Sequence, residues 1–279
     1  MTEAAYQAAQ AVAKAAPDFK PAFGIILGSG LGLLLQELTQ PKTLLFQDLP
    51  GFPVDLIEGQ KAELTMGFLQ QVPVICLGGR AHYYEGCDSS HILTYVRTLK
   101  LLGCHTVIIT GAVGSLSSEI KPGQLVLLKD HINFQGRNPL AGRNDPNFGE
   151  RFPDMTEAYD KAWCLQMEKV AHELTISVME GVYISVLGPT FETPAEIRLF
   201  RDFGADVVGM SVVPEVLAAR HCGLRVIGLT LVTNFAAGLS VLPQSHEETL
   251  LTARQSILQM IKLLRGFMTA CKKDNHGIA

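Results

Sequence analysis

The sequence has no excess of positive charge, which argues against the commonest kind of nucleic-acid-binding protein. Its 279 residues include 23 Lys or Arg and 27 Asp or Glu, giving a net charge of −4 and a pI near 6.1. A general nucleic-acid binder presents a basic face. The hydrophobic fraction of 47% and the charged fraction of 18% are those of a globular protein and exclude extensive disorder. We therefore expect no nucleic-acid partner, although a local cluster of arginines can still bind a small anion.

Long apolar runs are also missing. The richest stretch, residues 24–35, is interrupted by glycines and a serine and is too short to cross a membrane. Residues 1–6 do not show a basic segment followed by an apolar one, so we expect no signal peptide and no membrane partner. No linker, low-complexity segment or internal repeat divides the chain. We therefore expect one domain over residues 1–279.

Cysteines at metal-binding spacings are absent. The six cysteines are scattered and form no Cys-x-x-Cys pair, which argues against a zinc site. Several lie in or beside apolar runs. This usage is typical of reduced, mostly buried thiols, and it predicts a cytoplasmic protein with no metal site and no catalytic cysteine.

What the sequence does contain is a series of apolar, β-branched runs separated by helical patterns. Several runs are nearly continuous rather than alternating, which indicates strands covered on both faces in an α/β protein. The predicted strands are residues 22–27, 72–77, 106–110, 124–129, 182–187 and 224–232. Apolar residues at helical spacing predict helices over residues 89–102, 156–174, 193–203 and 250–264.

Glycine-rich or polar segments follow these strands. Residues 22–27 lead into Gly28-Ser29-Gly30-Leu31-Gly32 and then into apolar residues at helical spacing. The spacing differs from the dinucleotide-binding Gly-x-Gly-x-x-Gly, and no Gly-Lys-Ser/Thr follows. Glycines let the backbone approach a ligand, and a helix N-terminus favours an anion. The turn and its hydroxyl therefore suit a free anion better than a nucleotide.

The most informative segment is Gly79-Arg80-Ala81-His82-Tyr83-Tyr84-Glu85-Gly86, directly after the strand at 72–77. It combines a permanent cation, a titratable ring, two phenols and a carboxylate, and the planar arginine fork fits phosphate. Polar turns also follow residues 106–110, the strand ending at Gly209 and residues 224–232. Ligands of open α/β sheets bind at the carboxyl ends of strands, so these turns predict one site assembled from distant segments. Each turn taken alone could be an ordinary strand terminus or solvated loop.

Two other segments leave alternatives open. Thr193 and Glu196 are predicted to form a capping box at the start of a helix, directly after Glu192. Glu192 is then either an ordinary exposed acid or, beside Phe191, a carboxylate that accepts hydrogen bonds from a planar ligand. Residues 134–154 are rich in Gly, Pro, Asn and Arg and lack periodicity. A loop of that length in a compact domain is usually functional or mobile.

Taken together, these segments resemble the trimeric purine nucleoside phosphorylases over nearly the whole chain. The similarity is close to bacterial members that act on 6-oxopurine nucleosides, including the xanthosine-accepting branch. The motifs that carry it are Leu27-Gly28-Ser29-Gly30-Leu31-Gly32, the segment from Gly79 to Gly86, Gly188-Pro189-Thr190-Phe191-Glu192-Thr193, Val208-Gly209-Met210-Ser211-Val212-Val213-Pro214-Glu215 and Thr233-Asn234. The resemblance implies a single domain with a central mixed β-sheet flanked by helices. It also implies reversible phosphorolysis of inosine, guanosine and possibly xanthosine to free base and pentose 1-phosphate, with phosphate as co-substrate, no cofactor and a homotrimer.

The resemblance also implies roles for residues of this chain. The phosphate ligands would be Ser29, Arg80, His82, Ser211, Gln60 and the backbone of Ala112. The ribose contacts would be Tyr84, Met210, His246 and Tyr183. Phe191, Glu192 and Asn234 would bind the base, and His82, Glu192 and Asn234 would carry the catalysis. Phe148 would be the aromatic residue lent to the neighbouring subunit's site.

The chain departs from the family pattern at two positions. Gln60 stands where many members have a histidine that helps to bind phosphate, and Gly111 stands where the usual motif has Asn. Because of these departures, an alternative interpretation is that the protein is a catalytically impaired homologue that binds purines or anions. A nucleoside hydrolase is the enzymatic alternative, but Arg80 with Ser29 and Ser211 suits phosphate rather than water as the nucleophile.

Overall fold

Nine strands form one mixed β-sheet, part of which closes on itself. The computed structural model describes residues 2–28, 30–54, 56–57, 59–239 and 246–273, without the side chains of residues 2 and 246–255. The strands are β1 (Phe23–Ile26), β2 (Thr39–Leu45), β3 (Glu63–Leu69), β4 (Val72–Leu77), β5 (Thr106–Ser115), β6 (Leu125–Asn133), β7 (Val178–Ser185), β8 (Val207–Gly209) and β9 (Arg225–Phe235). Their order is β2-β3-β4-β1-β5-β8-β7-β6-β9, and β9 also pairs with β5. Strands β5, β8, β7, β6 and β9 therefore form a closed ring.

Among the described residues, six α-helices accompany the sheet. They are α1 (Thr2–Ala15), α2 (Ser89–Leu101), α3 (Lys161–Glu173), α4 (Pro194–Asp202), α5 (Val213–His221) and α6 (His246–Lys273). Apolar side chains of strands and helices merge into one large buried cluster. The predicted α/β fold with a central mixed sheet is confirmed. Within the described ranges, no helix combines the length and apolarity needed to cross a bilayer.

Local signals explain where several helices begin. The Asp88 carboxylate accepts a hydrogen bond from the Ser90 amide (2.7 Å) and caps α2. The predicted capping box of α4 is present, because Thr193 Oγ1 accepts from the Glu196 amide (3.3 Å) while the Glu196 carboxylate accepts from the Thr193 amide (2.7 Å). The helix predicted over residues 156–174 begins later in the structure than the sequence indicated. Asp160 caps α3 by accepting from the Trp163 amide (2.9 Å), so the helix begins at Lys161.

Two strands were missed and two are longer than predicted. Strand β2 is mostly exposed, contains proline and lies at the edge of the sheet, so it lacks the apolar run that marks the central strands. Strand β3 was missed as well. Strand β5 continues to Ser115 and β9 to Phe235 because the two pair in parallel over this whole length, with one bulge between Val113 and Gly114. The residues predicted as a turn after residues 106–110 are therefore strand residues up to Ser115, and those predicted after residues 224–232 are strand residues up to Phe235.

The segment after β1 also differs from the prediction. Instead of the expected α-helix, Gly32–Glu37 forms a short 3₁₀ helix. Gly28 lies against β5, where a Cβ atom at residue 28 would be 2.8 Å from Gly111 Cα. Glycine is required there because the two backbones are in contact.

Candidate active site

The polar segments predicted to form one site do meet in one pocket. The cavity measures about 130 Å³. Its walls come from the ends of β5, β8 and β9 and from the loop that follows β4. Among the residues with predicted roles, those that line it are Arg80, His82, Tyr84, Ala112, Phe191, Glu192, Met210, Ser211 and Asn234. Segments up to 154 residues apart in sequence (80 to 234) thus meet at the carboxyl ends of strands, as expected for an α/β site.

Arg80 is a fully buried cation on the wall of the pocket. Its side chain is 0% exposed, and Nη2 donates to the carbonyl oxygens of Ile26 (3.2 Å) and Thr110. These two bonds fix the plane of the guanidinium. Neither Nε nor Nη1 has a hydrogen-bond partner among the residues that the structure describes. Because buried polar groups are nearly always hydrogen-bonded, two open donors on a lining residue indicate an acceptor bound in the pocket.

Glu215 compensates the charge of Arg80 from behind the pocket. Its Oε1 lies 3.5 Å from Arg80 Nη1 and accepts a hydrogen bond from the Tyr95 hydroxyl (3.1 Å). The Glu215 carboxylate is 1% exposed. Burial of Tyr95, together with the negative charge of Glu215, raises the pKa of Tyr95, so its phenol stays protonated and donates. The sequence analysis assigned no role to Glu215 or Tyr95. The one available signal was an acid within the otherwise apolar start of α5.

His82 is oriented by the same loop. Its Nδ1 donates to Glu85 Oε2 (2.7 Å), which also accepts from the His82 amide (3.0 Å). This arrangement leaves Nε2 as the nitrogen that is not held by Glu85. The imidazole stacks on the Tyr84 ring with centroids 4.8 Å apart and planes 19° apart. Burial raises the pKa of Tyr84 well above its usual value, so the phenol remains neutral in the pocket.

Ser211 is held on both sides by its backbone. Its amide donates to the Tyr183 hydroxyl oxygen (3.1 Å), and its carbonyl accepts from Ser185 Oγ (3.1 Å). The next residue, Val212, has φ of +68° and ψ of −60°, and the Val213 amide donates to the Ser211 carbonyl (2.8 Å). This is a γ-turn of the rare, strained type, which a β-branched residue adopts only under tertiary constraint. The turn places the Ser211 side chain in the pocket immediately before α5.

Glu192 and Asn234 supply polar groups of opposite character. Burial raises the pKa of the Glu192 carboxyl, and the nearby Glu196 adds to the shift. Phe191 beside it is 43% exposed. The Asn234 amide is oriented by Thr233, whose hydroxyl donates to Oδ1 (2.8 Å), while Nδ2 donates to the Phe235 carbonyl (3.1 Å). The pocket therefore offers an acceptor at Glu192 and an amide at Asn234.

Two of the predicted site residues lie behind the pocket rather than on its lining. Gln60 Oε1 accepts a hydrogen bond from the Arg80 amide (2.8 Å), so this side chain supports the backbone of the loop. Tyr183 is 0% exposed, and its hydroxyl accepts a hydrogen bond from the amide of Ser211 on the pocket wall. Burial raises the pKa of Tyr183 to about 12. Their predicted roles toward phosphate and ribose stay predictions.

The remaining predicted residues lie elsewhere or are not described. Phe148 is 8% exposed and packs in its own chain against Tyr6 and the guanidinium of Arg97, away from the pocket lining. Ser29 and the side chain of His246 lie outside the described residues, so their roles also stay predictions.

The buried cysteines have raised pKa values. Burial raises the pKa of Cys76 to about 12 and that of Cys222 to about 11, which keeps both as inert thiols. In the part of the chain that the structure describes, no group of three or more His, Cys, Asp or Glu residues is arranged to hold a metal ion.

Comparison with known proteins identifies the family. The model of the phosphorylase superfamily matches residues 22–269. Purine nucleoside phosphorylase 1 of Bacillus subtilis (strain 168) is 44% identical over 248 residues, covering 89% of this chain and 92% of the relative. The enzyme of the same name from Geobacillus stearothermophilus is 41% identical over 268 residues, covering 96% and 97%.

Solved structures agree with these relatives. Schistosoma mansoni purine nucleoside phosphorylase in complex with inosine has a TM-score of 0.90 and 36% identity, with 95% of each chain covered. The same enzyme in complex with adenosine has a TM-score of 0.90 and 37% identity, covering 95% of this chain and 96% of the other. The chain therefore belongs to the phosphorylase superfamily and, within it, to the purine nucleoside phosphorylases, enzymes that cleave purine nucleosides with phosphate.

Proposed function

We propose that this enzyme acts on 6-oxopurine nucleosides, inosine and guanosine above all, and that its pocket holds inorganic phosphate directly beside the nucleoside. One observation carries the proposal: Arg80, buried and with no hydrogen bond from Nε or Nη1 to a described residue, lines the same pocket as Glu192 and Asn234. A phosphate dianion carries oxygen acceptors for such donors, and its charge complements that of the guanidinium. Phosphate is a co-substrate in this proposal, and no cofactor takes part.

The phosphate site would combine Arg80 with His82, Ser211 and the amide of Ala112, all of which line the pocket. Because His82 Nδ1 donates to Glu85, Nε2 would donate to a phosphate oxygen when the ring is an imidazolium, with a proton on each nitrogen. Ser29 would complete the site, as the sequence predicts. Gln60 would contribute by supporting the Arg80 backbone, with or without a direct contact to phosphate.

The sugar would lie between phosphate and base. Tyr84 and Met210 line the pocket and would border the ribose, with Tyr183 behind them and His246 near the 5′-hydroxyl. The glycosidic bond breaks through an oxocarbenium-like state, as in other glycosyl transfers. Phosphate beneath the sugar stabilises its developing positive charge and then bonds to C1′, while the bonding electrons leave with the purine.

The base would be recognised by Glu192, Asn234 and Phe191. The Asn234 amide would donate at N7 or O6, where negative charge accumulates as the purine departs; removing one such preorganised donor costs about 3–4 kcal/mol in the barrier. Glu192 would accept N1–H of a 6-oxopurine. Adenine has a lone pair at N1, so the carboxylate would face an acceptor, a mismatch that can give discrimination of about 10⁴. A relative has been solved with adenosine as well as inosine, so the preference proposed here concerns turnover rather than occupancy.

The assembly and location are part of the same proposal. We expect residues 1–279 to act as one cytoplasmic domain within a homotrimer, since every described strand belongs to one sheet. The role predicted for Phe148 in the neighbouring subunit's site would require its ring to leave Tyr6 and Arg97, against which it packs in its own chain. Light scattering coupled to gel filtration tests this, because a fully active monomer would refute the shared site.

The experiment that tests the function is a panel of inosine, guanosine, xanthosine and adenosine, assayed with and without phosphate. We expect release of base and pentose 1-phosphate from the first two only when phosphate is present, and slow turnover of adenosine. Equal rates of inosine cleavage in phosphate-free buffer would indicate a hydrolase instead. Intact nucleosides in excess phosphate, together with purine binding, would indicate an impaired homologue.

A further inference from the structure

A buried hydroxyl, that of Thr110, joins the end of β1 to β5 directly behind the active-site pocket. Thr110 lies on β5, is 0% exposed and does not line the pocket. Its Oγ1 donates to the Ile26 carbonyl (3.0 Å) and accepts from the Gly28 amide (3.1 Å). The hydroxyl therefore uses both its proton and an oxygen lone pair on the backbone of the segment that leaves β1.

The register of the sheet explains why a hydroxyl is needed at this position. Strands β1 and β5 run parallel and pair as far as Ile26 and Ile109, where β1 ends. Thr110 is the next residue of β5. Gly28, two residues beyond the last pair, is buried, and a buried amide requires an acceptor. The side chain of Thr110 supplies that acceptor, so the two segments stay connected after their regular pairing has ended.

Arg80 belongs to the same network. Its Nη2 donates to the Thr110 carbonyl and to the Ile26 carbonyl (3.2 Å). The Ile26 carbonyl thus accepts from the guanidinium and from the Thr110 hydroxyl together. Since both acceptors of Nη2 belong to this junction, the orientation of the guanidinium depends on how β1 and β5 are held against each other.

The residues directly after Thr110 reach the pocket. Gly111 and Ala112 both line it, and a Cβ atom at residue 111 would be 3.6 Å from Ser211 Oγ. Because Gly111 has no side chain with which to form hydrogen bonds, the preceding hydroxyl fixes the chain at this point of β5. A displacement of Thr110 would therefore move the backbone that carries the Ala112 amide.

We propose that Thr110 is a positioning residue for phosphate, whose hydroxyl holds the end of β1 against β5 so that Arg80 and the Ala112 amide face the anion together. This inference rests on the phosphate site proposed above. Thr110 itself does not touch the phosphate. Groups that bind a ligand must be held within about 0.5 Å of the productive geometry, and hydrogen bonds behind those groups provide such support.

Thr110→Val tests the hydroxyl, because valine keeps the β-branched shape but can neither donate to Ile26 nor accept from Gly28. Equilibrium dialysis with radiolabelled inorganic phosphate should show binding weakened about 5–10-fold, the factor that corresponds to losing one hydrogen bond. In steady-state kinetics the KM for phosphate should rise by the same factor, whereas the KM for inosine should change little. Unaltered phosphate binding, or an equal rise in both KM values, would overturn the proposal.

Two further variants separate positioning from a general loss of stability. Thr110→Ser keeps the hydroxyl and removes only a methyl group, so it should bind phosphate as tightly as the wild type. Thr106→Val removes an equally buried hydroxyl at the start of the same strand, where Thr106 Oγ1 is hydrogen-bonded to His105 Nδ1 (2.8 Å). It should lower the melting temperature without changing the KM for phosphate. If it weakens phosphate binding as much as Thr110→Val does, the loss of stability explains the effect and the positioning role is refuted.

A variant pair keeps the test decisive if Thr110→Val does not fold. Thr110→Ser and Thr110→Ala differ from each other by the hydroxyl oxygen alone. The serine variant should retain the phosphate affinity of the wild type, and the alanine variant should lose as much as is expected for valine. Equal affinities in the two variants would show that the hydroxyl does not position the site.

The wild-type protein distinguishes a failure of this inference from a failure of the function on which it rests. A wild type that binds phosphate and requires it for inosine cleavage upholds the phosphate site, and the Thr110 variants then decide the positioning role. If the wild type binds no phosphate, the phosphate site itself is wrong and the role of Thr110 toward it is refuted as well.

Discussion

Glu215 and Arg80 form a fully buried ion pair, with Oε1 3.5 Å from Nη1, on the wall of the active-site pocket. The guanidinium does not depend on Glu215 for its orientation, because Nη2 is already fixed by two backbone carbonyls. The carboxylate therefore serves mainly to compensate the charge of Arg80 when no anion is bound. An incoming phosphate would share this role with Glu215.

The first prediction concerns Glu215→Gln, which keeps an acceptor for the Tyr95 hydroxyl but removes the charge. Breaking a buried ion pair by removing one partner costs about 3–5 kcal/mol, so the variant should be markedly less stable than the wild type in phosphate-free buffer. Saturating phosphate should restore much of this loss, since a ligand stabilises the state that it binds. The KM for nucleoside should change little.

Denaturant unfolding at several phosphate concentrations measures the effect. Tyr95→Phe is the matched control, because it removes the hydrogen bond to Glu215 without removing a charge and should cost about 1.5–3 kcal/mol at every phosphate concentration. A loss of stability in Glu215→Gln that phosphate does not reduce would show that the carboxylate is purely structural.

The sequence predicts those parts of the site that stand next to glycine-rich or polar segments at strand ends. Arg80, Ser211 and Asn234 each follow or end an apolar run. Parallel pairing through β4, β1, β5 and β9 brings the ends before Arg80 and at Asn234 together, while β8 reaches them by pairing antiparallel with the end of β5. Glu215 was not predicted, because it stands 135 residues from Arg80 in a helix and its relation to that residue exists only in three dimensions. Its one signal was an acid in an apolar stretch.

Gln60 shows a second limit of prediction from sequence. By position it replaces a phosphate ligand, yet its Oε1 is bound to the Arg80 amide, a contact that depends on how β3 and β4 bring the two segments together. The strands β5 and β9 likewise pass through glycine-containing sequence because their mutual pairing outweighs the local tendency of glycine to form turns. In both cases tertiary contacts determine the local structure, and the periodicity of apolar residues in the sequence does not reveal such contacts.

The second prediction concerns the pH dependence that Glu192 confers. Its pKa is raised from 4.5 by burial, and only the ionised carboxylate accepts N1–H of a 6-oxopurine. The value of kcat/KM for inosine should therefore fall as pH drops through the raised pKa, with an acid-side midpoint above 4.5. In Glu192→Gln the acid limb of the pH profile should disappear. The value of kcat/KM for inosine should also fall about 10–100-fold, the effect of losing a hydrogen bond to a charged group.

A pH profile of both proteins with inosine and adenosine checks this. The control is Glu119→Gln, which changes an exposed acid outside the pocket and should leave the profile intact. An unchanged acid limb in Glu192→Gln would assign that limb to another group and contradict the role given to this carboxylate.

The third prediction concerns Asn234, whose amide is oriented by the hydroxyl of Thr233. Asn234→Asp removes the donor proposed for N7 or O6 and places a carboxylate against them, so kcat for inosine should fall about 10²–10³-fold. Thr233→Val leaves the amide in place but removes the bond that orients it, so its loss should be smaller. Steady-state kinetics with saturating phosphate compares the two; equal losses would mean that orientation, rather than the donor, is what the site requires.

The fourth prediction concerns stability in mild acid, through His221 and His131. Burial lowers the pKa of both below 6.5. Between the lowered pKa and 6.5 the unfolded chain binds more protons than the folded one, so the free energy of unfolding should decrease as pH falls below about 6.5. The slope contributed by each histidine is at most about 1.4 kcal/mol per pH unit. Glu192, whose pKa is raised, acts in the opposite direction and favours the folded state as it protonates.

Urea unfolding between pH 7.5 and about 5 measures this slope, since carboxylates with lowered pKa values, such as Asp160, lose their contribution only at lower pH. His221→Gln keeps a donor for Asn144 Oδ1 and should remove one part of the slope, and His131→Gln should remove another. The double variant should show the flattest dependence. Because the charge of Arg97 also lowers the pKa of His221, Arg97→Met should bring that pKa closer to 6.5 and make the loss of stability smaller. A slope that persists in the double variant would place the titrating group elsewhere in the protein.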